Sequence, residues 1–364
     1  MRNLTVPAEP IVTAIIPTYR RPVLLRRAIL SALHQTYPHV RVCVYDNASG
    51  DETESVVKEI ARQDPRVKYH RHPRNIGSYN NFNYGIREVE TEFFALLSDD
   101  DLFVPTFFEA AVRAWQDHPE AMFVCMPTMA ADLDLNVLSG PVTVAGEKVY
   151  GSGECLSGLV DGTVPAKWSG ILFRQQVRDG IGAVDIEAGP YADTGYVLHA
   201  AARFPCVVIP GVAAVYVVHA NTTSGTVKPL DGTWPGWWDR MVAAIADDPQ
   251  VPAFARNEIR SIIYPDFRKM AAYQTFRALG EGHPEVAQQS VQGLRECGYQ
   301  GVSRLLDMLV WTYRHSRFVR GMLNRINQRR KIATRRRNSE LHAKFAHHIA
   351  FIRRLDQAAE TVHV

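Results

Sequence analysis

Three carboxylates follow one another at Ser98-Asp99-Asp100-Asp101, directly after the apolar run Phe93-Phe94-Ala95-Leu96-Leu97. Such a run reads as a buried strand. Adjacent acids repel and raise each other's pKa. A divalent cation removes that repulsion, because carboxylate oxygens are its natural ligands. One Asp would suffice as a helix cap, with the others as solvated charges. Three at the end of a buried strand favour a metal site. Pro105 then opens a helical pattern, as proline does at a first helical turn.

The elements that must hold these acids can be read outward from them. Residues 11–16 are a β-branched run ended by Pro17-Thr18-Tyr19, a strand entering a loop. Leu24, Leu25, Ala28, Ile29, Ala32 and Leu33 have helical spacing and predict a helix opening at Arg21-Pro22. Residues 40–45 form a second strand ending at Asp46. Asn47-Ala48-Ser49-Gly50 is a turn, and Asp51 with Glu54 marks the start of a helix over 52–63. A third strand at 67–70 runs into Arg74-Asn75-Ile76-Gly77-Ser78 and a helix over 79–88. A helix over 105–117 and a strand over 122–126 follow the acids.

This alternation predicts a mostly parallel sheet with helices on its faces. Ligands then bind beyond the carboxyl ends of the strands. Pro17-Thr18-Tyr19, Asp46 and Asp99-Asp100-Asp101 all fall at such ends, so they converge on one edge. Residues 130–165 are irregular and read as loops and short strands. Residues 168–173 form another strand, Asp193 starts a helix through Ala202, and strands at 207–209 and 212–218 end at His219.

The chain has 364 residues, 46% apolar and 22% charged, which allows two soluble domains or one domain with an extension. A net charge of +3 argues against a general polyanion binder. Its five cysteines, Cys43, Cys125, Cys155, Cys206 and Cys297, are widely spaced with no CxxC pair. That excludes the common zinc and dithiol patterns and suits a reducing cytoplasm. Residues 1–10 carry no apolar signal core, and the apolar run 207–218 is broken by Pro210 and Gly211.

Taken in order, Ile16-Pro17-Thr18-Tyr19-Arg20, the segment from Asp46 to Thr53, Asn75-Ile76-Gly77 with Asn83-Tyr84-Gly85-Ile86, and Ser98-Asp99-Asp100-Asp101 before Pro105 resemble the family 2 glycosyltransferases of GT-A fold. The resemblance covers about residues 11–225. It implies an α/β GT-A domain over 1–225, Rossmann-like, with a mainly α-helical extension over 226–364. It also implies an inverting enzyme using a UDP- or dTDP-sugar and Mn2+ or Mg2+. By position Asp100 matches the metal-binding acid and Asp99 a ribose contact, with Asp101 a supporting residue. Ser98 replaces the first acid of the usual DxD. Asp46 matches the acceptor for a pyrimidine imide N–H; its other reading is turn chemistry with Asn47 and Ser49. Pro17, Thr18 and Tyr19 would contact base and ribose, or merely stop a strand. Asn75 and Gly77 precede a helix whose free N–H groups favour anions. Asn81-Phe82-Asn83 stands where relatives often carry Ala-Arg-Asn.

The resemblance assigns the general base to Asp193, in Pro190-Tyr191-Ala192-Asp193, with Glu187 in reserve and a cap role as the alternative. His219, before Asn221-Thr222-Thr223-Ser224, matches a histidine near the metal or diphosphate, or is a structural residue. Trp168 is read as a sugar-stacking ring or a core aromatic. The rival scaffold function, a sugar nucleotidyltransferase, needs a Gly-rich loop that Pro17–Pro22 lacks. A silent nucleotide-sugar-binding protein is the other rival, and the triple Asp and Asp193 argue against it.

The extension is read on its physics. Trp234, Trp237 and Trp238 cluster near its start. No acid occurs between Thr312 and Asn338, where ten residues are basic and Phe318, Val319, Met322, Leu323 and Ile326 are interleaved. A helix pair packed on the catalytic domain or on a second copy is one expectation. Peripheral contact with the inner face of a membrane, near a lipid-linked acceptor, is another. Nucleic acid is not expected.

Overall fold

The computed structural model describes residues 10–165, 167–219, 234–296 and 298–361. The first half alternates as the apolar periodicity requires: β1 (Val12–Thr18), α1 (Pro22–Leu33), β2 (Val40–Asp46), α2 (Thr53–Gln63), β3 (Val67–Arg71), α3 (Ser78–Arg87) and β4 (Phe93–Leu96). Next come β5 (Leu102–Phe103), α4 (Phe107–Asp117) and β6 (Phe123–Cys125). Short pieces β7 (Thr128–Ala131), β8 (Val137–Ser139), β9 (Lys148–Tyr150) and α5 (Leu156–Asp161) fill the irregular stretch. Then follow β10 (Ile171–Arg174), α6 (Gln175–Ile181), α7 (Ala192–Arg203), β11 (Cys206–Val208) and β12 (Ala214–Val217). The C-terminal region is helical: α8 (Trp234–Ala246), α9 (Ala253–Glu281), α10 (Pro284–Glu296), α11 (Gln300–His315), α12 (Arg317–Lys344) and α13 (Ala346–Thr361).

Every residue of β1 and β4 is buried, as strands covered on both faces must be. β1 lies between β2 and β4, parallel to both, and β3 extends the edge beyond β2. β10 enters antiparallel between β4 and β6; β11 runs parallel to β6, and β9 closes that edge antiparallel. The eight-stranded order is therefore β3-β2-β1-β4-β10-β6-β11-β9. A second sheet, β5-β12-β7-β8, stands beyond the β4 end. This is the α/β architecture expected, with a mostly parallel sheet flanked by helices and a helical C-terminal region.

Two local departures from the expected elements occur, and the small sheet explains the first. Leu102-Phe103 pairs antiparallel with Ala214-Val215, so the chain stays extended after the acids. α4 consequently starts at Phe107 rather than at Pro105. Residues 168–170 make one 3-10 turn, closed by the Gly170 N–H on the Lys167 carbonyl, before β10 begins at Ile171.

The helical region packs back on the sheet. One core cluster runs from Ile15 and Phe94 through Tyr196 and Met241 to Val310 and Leu323. A separate cluster seats Phe345, Ile349 and Ile352 among Leu102, Met129 and Val215 of the small sheet. The expected boundary at 225, Asn221–Ser224, the Trp234 side chain and Cys297 lie outside the described residues. No helix among the described residues is long and apolar enough to cross a membrane.

α3 approaches β1 and β2 most closely at Gly85. A Cβ there would lie 2.6 Å from Ile15 Cγ2 and 2.8 Å from Tyr45 Cε2. Both neighbours sit in close-packed core, where added atoms force strain rather than fill space. Gly85→Ala is expected to cost about 1–3 kcal/mol and lower Tm in thermal unfolding; an unchanged Tm would contradict the close seating of α3.

Candidate active site

The first strand delivers Thr18 to the sheet edge. Its Oγ1 donates to Asp99 Oδ2 at 2.8 Å, and its carbonyl accepts the Asn47 N–H at 3.0 Å. One residue thus joins the loops after β1, β2 and β4. The Tyr19 N–H also points at Asp99 Oδ2, 3.3 Å away, while the Tyr19 ring is 38% exposed, with the Arg20 guanidinium carbon 5.1 Å from its centre. Arg20 and Ala48 take the left-handed backbone, at φ 56° and 61°. Arg20 is held there by Ser49, through its N–H on Ser49 Oγ at 2.9 Å and its Nε on the Ser49 carbonyl at 3.0 Å. Two strained non-glycine residues in neighbouring loops, joined through the bonds of Arg20 to Ser49, mark this edge of the sheet. Pro17 is buried inside β1 opposite Tyr45.

Asp46 is buried at the end of β2 and already accepts three bonds. Ser49 N and Oγ reach Oδ1 at 2.9 and 2.5 Å, and Tyr69 OH reaches Oδ2 at 2.7 Å. A carboxylate has about four acceptor positions, so the turn role is satisfied with room for one more N–H. Burial and this hydrogen bond to Asp46 push the Tyr69 hydroxyl well above its ordinary pKa, keeping it a donor. Asn47, which the sequence reading treated only as a turn residue, fastens the third loop. Its Nδ2 donates to Asn75 Oδ1 at 3.0 Å and its Oδ1 accepts the Ile76 N–H at 2.7 Å. Asn75 Oδ1 in turn takes the Gly77 N–H at 2.9 Å, just ahead of α3. Gly77 has φ 88°, the left-handed region that suits glycine. Asn81 and Asn83 are buried fasteners: Asn81 bonds the Tyr45 carbonyl, and Asn83 exchanges two bonds with the Val184 backbone.

The three acids meet different partners. Arg21 Nη1 lies 3.0 Å from Asp99 Oδ1 and 2.8 Å from Asp100 Oδ2. His219 Nε2 lies 3.1 Å from the same Asp100 oxygen. Asp101 is buried and accepts the Val217 N–H at 2.9 Å, which ties the acidic loop to β12. Burial pushes Asp99 up to about 6, with Arg21 opposing and Asp100 adding to the rise. Burial and then Asp100 raise Asp101 well above the ordinary carboxylate range. Burial alone would lower the Arg21 pKa, but the two carboxylates outweigh it and raise it. Arg21 is therefore the built-in counter-ion of the cluster. The sequence marked it only as a helix start, because its partners lie 78 and 79 positions away.

Asp193 projects from the first turn of α7. It is not the cap, a place taken by Tyr191, but its Oδ1 accepts the Thr194 N–H at 2.7 Å. Burial raises its pKa; the charge of Lys167 and the bonds from Thr194 oppose that rise. Lys167, also missed by the sequence reading, holds its Nζ 4.9 Å from the centre of the Tyr216 ring. Its charge acts on both Asp101 and Asp193. The Tyr216 hydroxyl is raised by burial and then by Asp101, Asp100 and Asp193. Asp193 therefore shares one electrostatic neighbourhood with the acidic loop. The Tyr79 hydroxyl, raised by burial and then by Asp193, borders it from α3. Trp168 is buried with its ring centre 4.4 Å from that of Phe82, the core position among its two readings. Glu187 is exposed on the short turn Ile186–Tyr191. α8 covers that turn: Trp238 lies 5.7 Å from the Tyr191 ring, and Trp237 fills the space that a Cβ on Gly189 would need.

For a cation, the cluster offers one carboxylate oxygen and one imidazole nitrogen, Asp100 Oδ2 and His219 Nε2. Among the described residues no group of three or more His, Cys, Asp or Glu side chains forms a metal cage. Two protein donors fit an ion that keeps the rest of its shell for phosphate and water.

Residues 13–134 match the family described as Glycosyl transferase family 2. The chain is 37% identical over 93 residues to the GalNAc(5)-diNAcBac-PP-undecaprenol beta-1,3-glucosyltransferase of Campylobacter jejuni, covering 25% of this chain and 30% of that one. It is 37% identical over 106 residues to an uncharacterized glycosyltransferase of Rickettsia felis, covering 29% of this chain and 17% of that one. The chain thus spans less than a third of the length of these curated relatives. Among solved structures, S. aureus TarS 1-349 in complex with UDP-GlcNAc superposes with a TM-score of 0.59 at 13% identity, over 84% of this chain and 92% of that one. The mannosyltransferase PcManGT from Pyrobaculum calidifontis, in complex with GDP-Man and Mn2+, superposes with a TM-score of 0.50 at 17% identity, over 91% and 87%. At those identities the likeness to the solved structures concerns the fold alone, and the sequence match to the glycosyltransferase family spans residues 13–134, its strands and acidic loop.

Proposed function

We propose that the chain is an inverting glycosyltransferase that moves a sugar from a UDP- or dTDP-sugar to a hydroxyl acceptor. The observation that carries this reading is the bonded series Thr18–Asp99–Arg21–Asp100–His219, faced by Asp193 across Lys167 and Tyr216. Asp46 would take the pyrimidine imide N–H in its remaining acceptor position, with the exposed Tyr19 ring against the base. Asp99 would hold the ribose. Asp100 and His219 would hold Mn2+ or Mg2+, which would supply Lewis-acid stabilisation of the leaving diphosphate's charge. Arg21 and Lys167 supply positive charge on the same side, where negative charge develops as the bond to the sugar breaks.

Asp193 would take the acceptor hydroxyl proton as that oxygen attacks the anomeric carbon. The new C–O bond forms on the face opposite the breaking bond to the diphosphate. The acceptor is a glycan hydroxyl in this reading. The Campylobacter relative's name specifies a PP-undecaprenol-linked substrate, which supports a lipid-linked glycan.

Replacing Asp100 by Ala should weaken UDP binding in the presence of Mn2+ at least about tenfold in calorimetry, roughly the 1.4 kcal/mol of one lost charge-assisted contact. Binding that is unchanged and still metal-dependent would remove Asp100 from the metal site. Asp193→Asn should cut turnover of UDP-sugar to UDP by about 10²–10⁴ while leaving donor affinity nearly intact; normal turnover would exclude Asp193 as the base. The pH profile follows from the direction of the Asp193 shift. Its pKa is raised, and only the carboxylate accepts a proton, so activity must fall on acidification through a midpoint above the ordinary carboxylate range. Lys167 opposes that rise, so Lys167→Met should move the acidic limb to still higher pH. An unmoved limb would show that Lys167 does not act on the base.

A further inference from the structure

The 28-residue helix α12 has one face already committed. Leu323 is buried, Asn327 Nδ2 donates to the Gly280 carbonyl at 2.7 Å, and the Arg330 guanidinium lies 5.0 Å from the Tyr273 ring centre. These contacts hold the helix against α9 and fix its rotation. The face turned outward is then set by the fold. It carries Phe318, Met322, Ile326 and Ile332, whose exposures run from 43% to 79%. At 3.6 residues per turn they occupy a sector of about 120°. Arg325 and Arg329 stand in the same sector and are exposed, with no carboxylate partner among the described residues. The one acid of α12, Glu340, lies near its end and pairs with Arg336 at 3.4 Å. In α11 the pattern repeats: Leu306, Val310 and Tyr313 are buried, while Leu305, Met308 and Trp311 are exposed. Trp311 ends that stripe close in sequence to Phe318.

We propose that this face of α12 docks on an anionic lipid surface. Large aliphatic and aromatic side chains set between arginines are what the boundary of a bilayer accepts: acyl chains for the apolar groups and phosphates for the guanidinium groups. A second copy of the chain fits poorly, because a two-fold contact would set Arg325 and Arg329 against like charges in a desolvated interface. Nucleic acid fits poorly too, since Met322, Ile326 and Ile332 would be pressed against phosphates without a base to stack on. None of these residues belongs to the catalytic cleft, so lipid docking and sugar transfer can fail independently.

The test is flotation of the full chain with vesicles of phosphatidylcholine, pure or with about 30 mol% phosphatidylglycerol, at low and high salt. At least about tenfold preference for the anionic vesicles is expected, weakening at high salt as surface charge is screened. Arg325→Ala with Arg329→Ala should lose that preference. Phe318→Ser with Ile326→Ser should lose vesicle binding while UDP binding and Tm stay unchanged, since both side chains are exposed. Absence of vesicle binding, or equal binding to neutral vesicles, would overturn the proposal. So would retention of binding by Phe318→Ser with Ile326→Ser, or light scattering showing a dimer that this pair dissociates.

Discussion

Three carboxylates enclosed at one strand end set the terms for everything around them. Charge in a low-dielectric site is costly unless paired, and like charges side by side compound the cost. The chain answers with three different devices. Arg21 bridges Asp99 and Asp100; the Val217 backbone and the nearby charge of Lys167 support Asp101; His219, just past β12, meets Asp100. Those devices come from three stretches far apart in sequence, at Arg21, at Lys167 and at the end of β12. The second sheet exists in the right place only because β5 leaves the acidic loop and pairs at once with β12. The electrostatic demand of the cluster and the topology of the small sheet are thus one design.

The same charges organise the chemistry. A site that must release a diphosphate needs positive charge where the leaving group departs and an acceptor of protons on the other side. Arg21 and Lys167 lie toward the acids, while Asp193 lies at the start of α7, near enough for Lys167 to act on its ionisation. Lys167 influences Asp101 as well, so in the proposed reaction one ammonium group would couple the acidic loop to the base. Arg21 holds Asp100 by the oxygen that would face a cation. In the proposed reaction, donor and metal binding would require that ion pair to loosen, and the released guanidinium would then be free to meet the phosphates.

Much of this was legible in the residues. Apolar runs and helical spacing locate β1 through α4 within a few positions, because burial on both faces leaves little freedom in pattern. The acids, Asp46, the Asn75–Gly77 loop and His219 were legible as strand-end polar groups, and the structure gathers them at one edge. Arg21, Lys167 and Tyr69 were not, since each acts through partners far away in sequence. Asn47 was read as a turn residue, and only the fold shows that its amide reaches Asn75 in another loop. Of the small sheet, β12 was legible in the run 212–218, but β5, β7 and β8, of two to four residues, carry too few for a period to show. In the extension, helices were legible from composition, but the seating of Phe345, Ile349 and Ile352 in the small sheet depends on three-dimensional fit.

The most direct measurement is a crystal structure of the chain with UDP and Mn2+. The diphosphate is expected beside Asp100 and His219, the Tyr19 ring against the base, Arg21 drawn off Asp100 toward phosphate, and an open path from the diphosphate to Asp193. A nucleotide bound elsewhere, or one bound at this edge with Arg21 still paired to Asp100 and no metal between, would contradict this arrangement.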